Sequence, residues 1–292
     1  MAGILYLTAT PIGNLEDMTF RAVRILKEAD LIACEDTRTS LRLLEHYDIH
    51  TALTSYHKFN EREKCPELIG KLLDGAKIAL ITDAGMPAVS DPGEILVREC
   101  HANHIPVAVI PGPSASVSAL ALSGLDTRRF VFEGFLPVDK KERRETLACL
   151  AGERRTMILY EAPHRLQKTL GALRETLGGD RRLALCRELT KRYEETEITT
   201  VEEALLRYET QAPRGEYVLV VEGKSGEAVK EETARAFEQM AVRDHVALYE
   251  GRGLDRKAAM KAAAKDRGVS RRDIYAALLK EEEENEKNPP EA

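Results

Sequence analysis

Four short loops hold the residues whose types and spacing suit chemistry on a bound ligand. They are Thr10-Pro11-Ile12-Gly13-Asn14; Thr82-Asp83-Ala84-Gly85-Met86-Pro87, extended by Ser90-Asp91-Pro92-Gly93; Pro111-Gly112-Pro113-Ser114-Ala115-Ser116; and Tyr160-Glu161-Ala162-Pro163-His164-Arg165. Glycine lets a backbone come close to a ligand, and proline fixes the bend that brings it there. Ser114 stands where a helix begins, so its hydroxyl can cap that helix or meet a ligand carboxylate. Any one of these loops is equally an ordinary tight turn; four together favour a site.

Polar clusters lie nearby. Glu35, Asp36 and Arg38 fall in a stretch too polar to be core, where a carboxylate can accept a proton and a guanidinium can hold a phosphate. A surface ion pair is the competing reading. Glu161, His164 and Arg165 form a similar group, as do Glu188 and Lys191. His57 and Asn60 either face the same cleft or simply end a helix.

Several familiar chemistries are disfavoured. The loop after the first strand is not G-x-G-x-x-G, and Gly223-Lys224-Ser225 ends like a P-loop but has Val218 where the first glycine is needed. The five cysteines, Cys34, Cys65, Cys100, Cys149 and Cys186, include no C-x-x-C pair and read as reduced thiols. His101 and His104 lack a third ligand, so no metal is expected. No apolar run approaches the roughly 20 residues that span a bilayer. No basic, apolar leader precedes Ile4, so the cytoplasm is the expected location.

These loops need strands to carry them. Apolar runs at Ile4–Thr8, Leu31–Ala33, Lys77–Thr82 and Pro106–Ile110 alternate with helical patterns at Phe20–Ala29, Pro66–Leu73 and Ile95–Ala102. Such alternation predicts a mainly parallel sheet with ligands beyond its carboxyl ends. A second α/β unit begins with a helix over Ser114–Ser123. Its strands are expected at Phe130–Glu133, Thr156–Glu161, Arg182–Cys186 and Glu216–Glu222, with a helix at Leu166–Leu177. Gly223–Glu232 reads as a linker. Helices over Arg256–Arg267 and from Ser270 to Lys280 follow, in a helix-turn-helix-like pattern. The expected boundaries are thus 1–112, 113–225, 233–280 and an acidic, disordered tail at 281–292.

The 292-residue chain carries a net charge of −6, which argues against a uniformly basic nucleic-acid coat. From Asp255 to Lys280, however, eight Lys/Arg face three Asp, so a local basic field is present.

The loops together resemble the tetrapyrrole methylase class of S-adenosylmethionine enzymes. TATPIGNLEDMTFRA, ACEDTRTS, ITDAGMPAVSDPG, VIPGPSA, FEGFLP, LYEAPHR, RELTK and RGEYVLVVEG are similar to its ribosomal-RNA-modifying branch, over about Gly3 to Glu222. Porphyrin-modifying relatives usually carry Gly-Asp-Pro where this chain has Thr82-Asp83-Ala84. The resemblance implies a two-domain α/β fold with the cofactor cleft between the domains and a small all-helical C-terminal domain. It also implies S-adenosylmethionine as methyl donor, no metal, and a homodimer. The implied acceptor is the 2'-hydroxyl of a cytidine in the decoding region of 16S rRNA in the small ribosomal subunit.

By the same resemblance Pro11, Gly13, Asp83, Met86, Ser114 and Ala115 match cofactor positions, with Tyr160 and Leu189 on the adenine side. Glu35, Asp36, Arg38 and Glu161 are the candidate catalytic group, with the base itself unassigned. His57, Asn60, His164, Arg165 and Lys191 are candidates for the RNA side. Lys257, Lys261, Lys265, Arg271 and Arg272 either grip rRNA phosphates or form a solvated helix face. Two other functions stay open: a methyltransferase for a small tetrapyrrole, and a non-catalytic RNA-binding assembly factor.

Overall fold

Strand β1 (Ile4–Thr8) forms where an apolar run meets the bend at Pro11, and it lies inside the first sheet of the computed structural model, which describes residues 2–287. Around it stand β2 (Leu31–Cys34), β3 (Leu53–Ser55), β4 (Lys77–Leu80) and β5 (Val107–Ile110). All pairs are parallel, in the order β3-β2-β4-β1-β5. Helices α1 (Phe20–Glu28), α2 (Thr37–His46), α3 (Glu61–Leu73) and α4 (Glu94–Ala102) make the crossovers.

Both faces of the sheet are buried. Ile78 and Leu80 pack with Leu68, Leu72 and Leu96, while Ala79 and Ile81 join Ile25, Leu26 and Leu44. That alternation follows from the two-residue period of a strand. Because the strands are parallel, the loops after Thr8, Cys34, Leu80 and Ile110 all emerge at one edge.

The second sheet contains β6 (Phe130–Phe135), β7 (Thr156–Glu161), β8 (Arg182–Arg187), β9 (Glu195–Thr200) and β10 (Tyr217–Val221), ordered β6-β7-β10-β8-β9. Only the β6–β7 pair is parallel. Helix α5 (Ala115–Leu122) packs on one face against Ile158, Ala184, Val218 and Val220. On the other, α6 (Lys140–Ala151), α7 (Pro163–Leu177) and α8 (Val201–Thr210) bury Leu147, Leu166, Leu170, Leu173 and Val201.

The chain divides into two compact units after Glu222. Both sheets therefore belong to one unit, and the expected boundary at 112/113 separates sheets rather than compact bodies. The second unit has α9 (Gly226–Glu238), α10 (Val242–Glu250), α11 (Arg256–Asp266) and α12 (Arg271–Lys287). Its core is Val246, Ala259, Ala263, Ala264, Ile274 and Leu278.

Two expectations for this unit are corrected. The linker expected at Gly223–Glu232 turns helical at Gly226, because the Ser225 hydroxyl caps it by accepting from the Ala228 N–H at 3.0 Å. The acidic run expected to be disordered continues α12 as far as Lys287. Glu281 there accepts from the backbone N–H groups of Val242 and Arg243, each at 2.9 Å, a carboxylate held at the positive end of α10. The rest of the expected tail, 288–292, lies outside the described residues. Among the described residues no helix is long and apolar enough to cross a membrane.

Candidate active site

The loop after β1 is stitched to its neighbours from both sheets. Thr10 exchanges backbone hydrogen bonds with Gly85, 2.9 and 3.1 Å, and its hydroxyl donates to the Thr82 carbonyl at 3.0 Å. Gly85 takes φ +84, a conformation open to glycine and strained for other residues. Further along, the Asn14 N–H donates to the Thr190 hydroxyl at 3.1 Å in the loop after β8. Gly13 makes that approach feasible, since a Cβ there would sit 2.5 Å from Lys191 Cγ and 2.8 Å from Thr190 Oγ1.

Between these loops lies a cavity of about 310 Å³. Its walls bring together Glu35, Asp83, Met86, Ser114, Ala115, Tyr160, Glu161, Leu189 and Lys191 from the residues expected at a site. Four non-glycine residues in the loops around it, Ala88, Ser90, Glu188 and Thr190, hold φ between 50 and 66. Local strain of this kind gathers where a loop's shape is over-determined by its surroundings.

Ser114 occupies the N-cap position of α5, yet its side chain makes no capping bond. Its hydroxyl lies 3.2 Å from that of Ser116, and the Ser116 N–H donates to Tyr160 OH at 3.1 Å. The Tyr160 ring packs edge-on against Phe132 and Phe135, so one residue ties β7, β6 and the start of α5 together.

Glu35 receives the Thr82 hydroxyl at 3.0 Å. Asp83 accepts the Asp36 N–H at 3.3 Å, and burial raises its carboxyl, helped by the charges of Glu35 and Asp36. Asp91, on the same wall, is pushed up to about 6, first by burial and then by the charge of Glu35 and, more weakly, of Asp83. Asp91 was visible in its loop, but no signal in the sequence distinguished it from a turn residue. Phe135, Glu216 and Tyr217 also line the cavity without having been expected at a site, and Thr82 stood in one of the four loops with no role assigned.

Other expected site residues stand outside the walls. Asp36 caps α2 by accepting from the Arg38 N–H at 2.8 Å, and it pairs with the Arg38 guanidinium at 3.0 Å. Those bonds hold the Asp36 carboxyl down at about 2, too low for an effective proton acceptor near neutral pH. The group of three thus splits, with only Glu35 on the cavity. Pro11 is buried beside the wall. Asn60 closes its own turn, accepting from the His57 N–H at 2.8 Å and donating to Ser55. Its partner His57 is not on the walls, nor is exposed His164. Arg165 donates to the Leu136 carbonyl at 2.6 Å and pairs with Glu161 at 3.4 Å.

Glu161 touches the cavity but is 2% exposed, with its oxygens committed to the Thr169 hydroxyl at 2.5 Å and the Ala162 N–H at 2.9 Å. Lys191 is held by Glu188 at 3.0 Å and Glu216 at 2.8 Å. In the second unit Lys257, Lys261, Lys265, Arg271 and Arg272 are exposed on α11 and α12.

The family model of the tetrapyrrole (corrin/porphyrin) methylases matches residues 5–205, a span that carries most of these walls. The chain is 50% identical over 273 residues to ribosomal RNA small subunit methyltransferase I of Halalkalibacterium halodurans, covering 94% of this chain and 93% of that one. The chain belongs to the tetrapyrrole methylase family. It is also 46% identical to the protein of the same name from Bacillus subtilis, over 94% of both chains. Among solved structures of this methylase fold, uroporphyrin-III-C-methyltransferase from Thermus thermophilus superposes with a TM-score of 0.53 at 22% identity, over 75% of this chain and 94% of that one. At that identity the likeness concerns the fold.

Proposed function

We propose that this methylase transfers a methyl group from S-adenosylmethionine to 16S rRNA of the small ribosomal subunit, at the 2'-hydroxyl of a cytidine in the decoding region. The observation that carries the reading is a ligand-sized cavity at the strand tips of two sheets, in a chain half identical over 94% of its length to a protein named ribosomal RNA small subunit methyltransferase I.

The walls fit the donor. A volume of about 310 Å³ is in the range of small-molecule sites. The donor has a charged amino-acid end and a flat adenine, so it needs polar and apolar partners. Asp83 supplies a carboxylate for its ammonium or hydroxyl groups. The uncapped Ser114 hydroxyl and the start of α5 suit its carboxylate. Met86, Leu189 and Tyr160 supply apolar contact, with Pro11 and Gly13 shaping the loop that carries Ile12.

When bound, the donor's sulfonium supplies an electrophilic methyl group. The protein's own part is to align donor and acceptor and to keep water out. A ribose hydroxyl is a weak nucleophile, so a proton acceptor on the wall accelerates the transfer.

Exposed Lys257, Lys261, Lys265, Arg271 and Arg272 support a second contact, with rRNA phosphates. Exposed Phe20, Val109, Val117 and Leu122 in the first unit support association of two copies.

Three measurements test the reading. Calorimetry should show the sulfonium donor binding, with at least about ten-fold weaker affinity in Asp83→Ala, from removal of one charge-assisted hydrogen bond. Labelled donor incubated with small subunits should label rRNA, and nucleoside mass spectrometry should find 2'-O-methylcytidine. Sedimentation should give twice the chain mass. Label that appears only in a porphyrin acceptor would establish the small-molecule reading instead, and donor binding with no turnover would establish the assembly factor.

A further inference from the structure

The geometry points to Asp91 as the group that takes the proton from the acceptor hydroxyl, with Glu35 and Thr82 as its positioning partners. This rests on the methyl-transfer reading above and assigns the base that reading leaves open.

Asp91, Thr82, Glu35 and Asp83 share one wall of the cavity, contributed by the loops after β2 and β4. Thr82 is 3% exposed and has a single hydroxyl proton, which it gives to Glu35 at 3.0 Å. The same hydroxyl lies close enough to Asp91 to pull its carboxyl down, so Thr82 stands between the two carboxylates. While Asp83 accepts the Asp36 N–H and Glu35 accepts the Thr82 hydroxyl, Asp91 reaches the wall from its own loop. The loop holds it in place through left-handed Ala88 and Ser90, φ 66 and 64, and an N–H···O bond from Ala88 to the Pro92 carbonyl at 3.3 Å.

The other charged groups on the walls are committed. Glu161 is bonded to Thr169 and paired with Arg165, while Lys191 lies between Glu188 and Glu216. Tyr160 OH accepts from Ser116, Tyr217 OH accepts from the Arg214 N–H, and the Cys186 thiol faces the Ala119 carbonyl. Glu35 and Asp83 remain as the charges acting on Asp91. Both raise its carboxyl towards about 6 after burial has done most, against the opposing pull of the nearby Thr82 hydroxyl. A base with that affinity is ionised at neutral pH yet holds a proton far better than an ordinary aspartate. Asp36, held near 2 by Arg38, does not.

The transfer balances. The hydroxyl O–H bond breaks and its proton passes to the Asp91 carboxylate. The oxygen forms the new O–CH3 bond, and the pair of the broken S–CH3 bond stays on sulfur, leaving a neutral thioether. Asp91 then returns its proton to solvent.

Carbon-13 NMR of the aspartate carboxyls in the donor-free protein should show Asp91, assigned with Asp91→Asn, titrating near pH 6. Glu35→Gln removes the neighbouring charge and should shift that titration to lower pH. In single-turnover methylation of small subunits, Asp91→Asn should lower the rate about 100-fold, the lower end of a general base's contribution. Its donor affinity, by calorimetry, should stay within about three-fold. The acid limb of the wild-type rate profile should move down with Glu35→Gln. An Asp91 that titrates in the ordinary carboxylate range overturns the proposal whatever the substrate. So does an Asp91→Asn protein that binds donor and methylates at the wild-type rate. A wild-type protein that neither binds donor nor methylates rRNA would instead sink the functional reading, and the NMR titration would be unaffected.

Discussion

Glu161 and Asp91 are both carboxylates on the cavity wall, and their surroundings give them opposite work. Glu161 is buried and has three donors, the Thr169 hydroxyl, the Ala162 N–H and Arg165, so its charge is matched where it stands. Replacing it by Gln turns an acceptor into a partial donor facing Thr169 and Arg165. We expect Glu161→Gln to cost about 2–4 kcal/mol of stability, as removal of one member of a buried charged network does. Urea unfolding measures this, and a change below about 0.5 kcal/mol would show that the network is not structural. Asp91 couples folding to pH. Its folded-state carboxyl, near 6, lies above the unfolded value, so the native state holds more protons between about pH 4 and 6 and stability falls as pH rises through that window. Asp91→Asn should accordingly raise the melting temperature at pH 8 and leave it almost unchanged at pH 4. This division between the two residues was not legible in the sequence. Glu35, Asp36 and Arg38 looked like one constellation because they are adjacent in the chain, but a helix start lies between them and turns Asp36 into a cap.

At the scale of elements, β1 and β7 could be read to the residue because each is an apolar run followed within three residues by a proline. The strand-tip loops were legible for the same reason. Polar elements were not. Strand β9, Glu195–Thr200, pairs only with β8 at the sheet edge, so burial imposes no apolar alternation on it. Helix α2 hides behind polar Glu35–Arg38, and α3 starts five residues before Pro66, which read as a first-turn proline but stands inside the helix. What the sequence could not convey is how the elements meet, and Gly13 is the clearest instance. Its lack of a side chain lets the loop after β1 lie against Thr190 and Lys191 beyond β8. In Gly13→Val the branched side chain would enter space already filled by Lys191 Cγ and Thr190 Oγ1, forcing the two strand-tip loops apart. The expected outcome is at least ten-fold weaker donor binding by calorimetry, with a change in stability of about 1–3 kcal/mol. Unchanged affinity would mean that the packing of these two loops does not shape the cavity.

For the whole molecule, the division after Glu222 separates two kinds of work in a way that one truncation can measure. Every residue lining the cavity lies between Ile12 and Val218, and the first unit has its own buried clusters on both faces of each sheet. A chain that ends at Glu222 should therefore keep the donor affinity of the full protein. The second unit carries the exposed cations of α11 and α12 on a small core of Val246, three alanines, Ile274 and Leu278. Its contribution to rRNA binding is electrostatic on the reading above, and electrostatic binding has a distinct signature. For every phosphate no longer neutralised by a cation, the slope of log affinity against log salt falls by about 0.7–0.9. The truncated chain should bind small subunits more weakly at low salt, with a shallower slope, and the two proteins should converge as salt rises. Charge reversal of Lys257, Lys261, Arg271 and Arg272 in the full chain should reproduce that weakening without shortening the chain. If the truncated chain binds with the slope of the full protein, the basic face of α11 and α12 is solvated surface, and the cations that hold the RNA belong to the first unit.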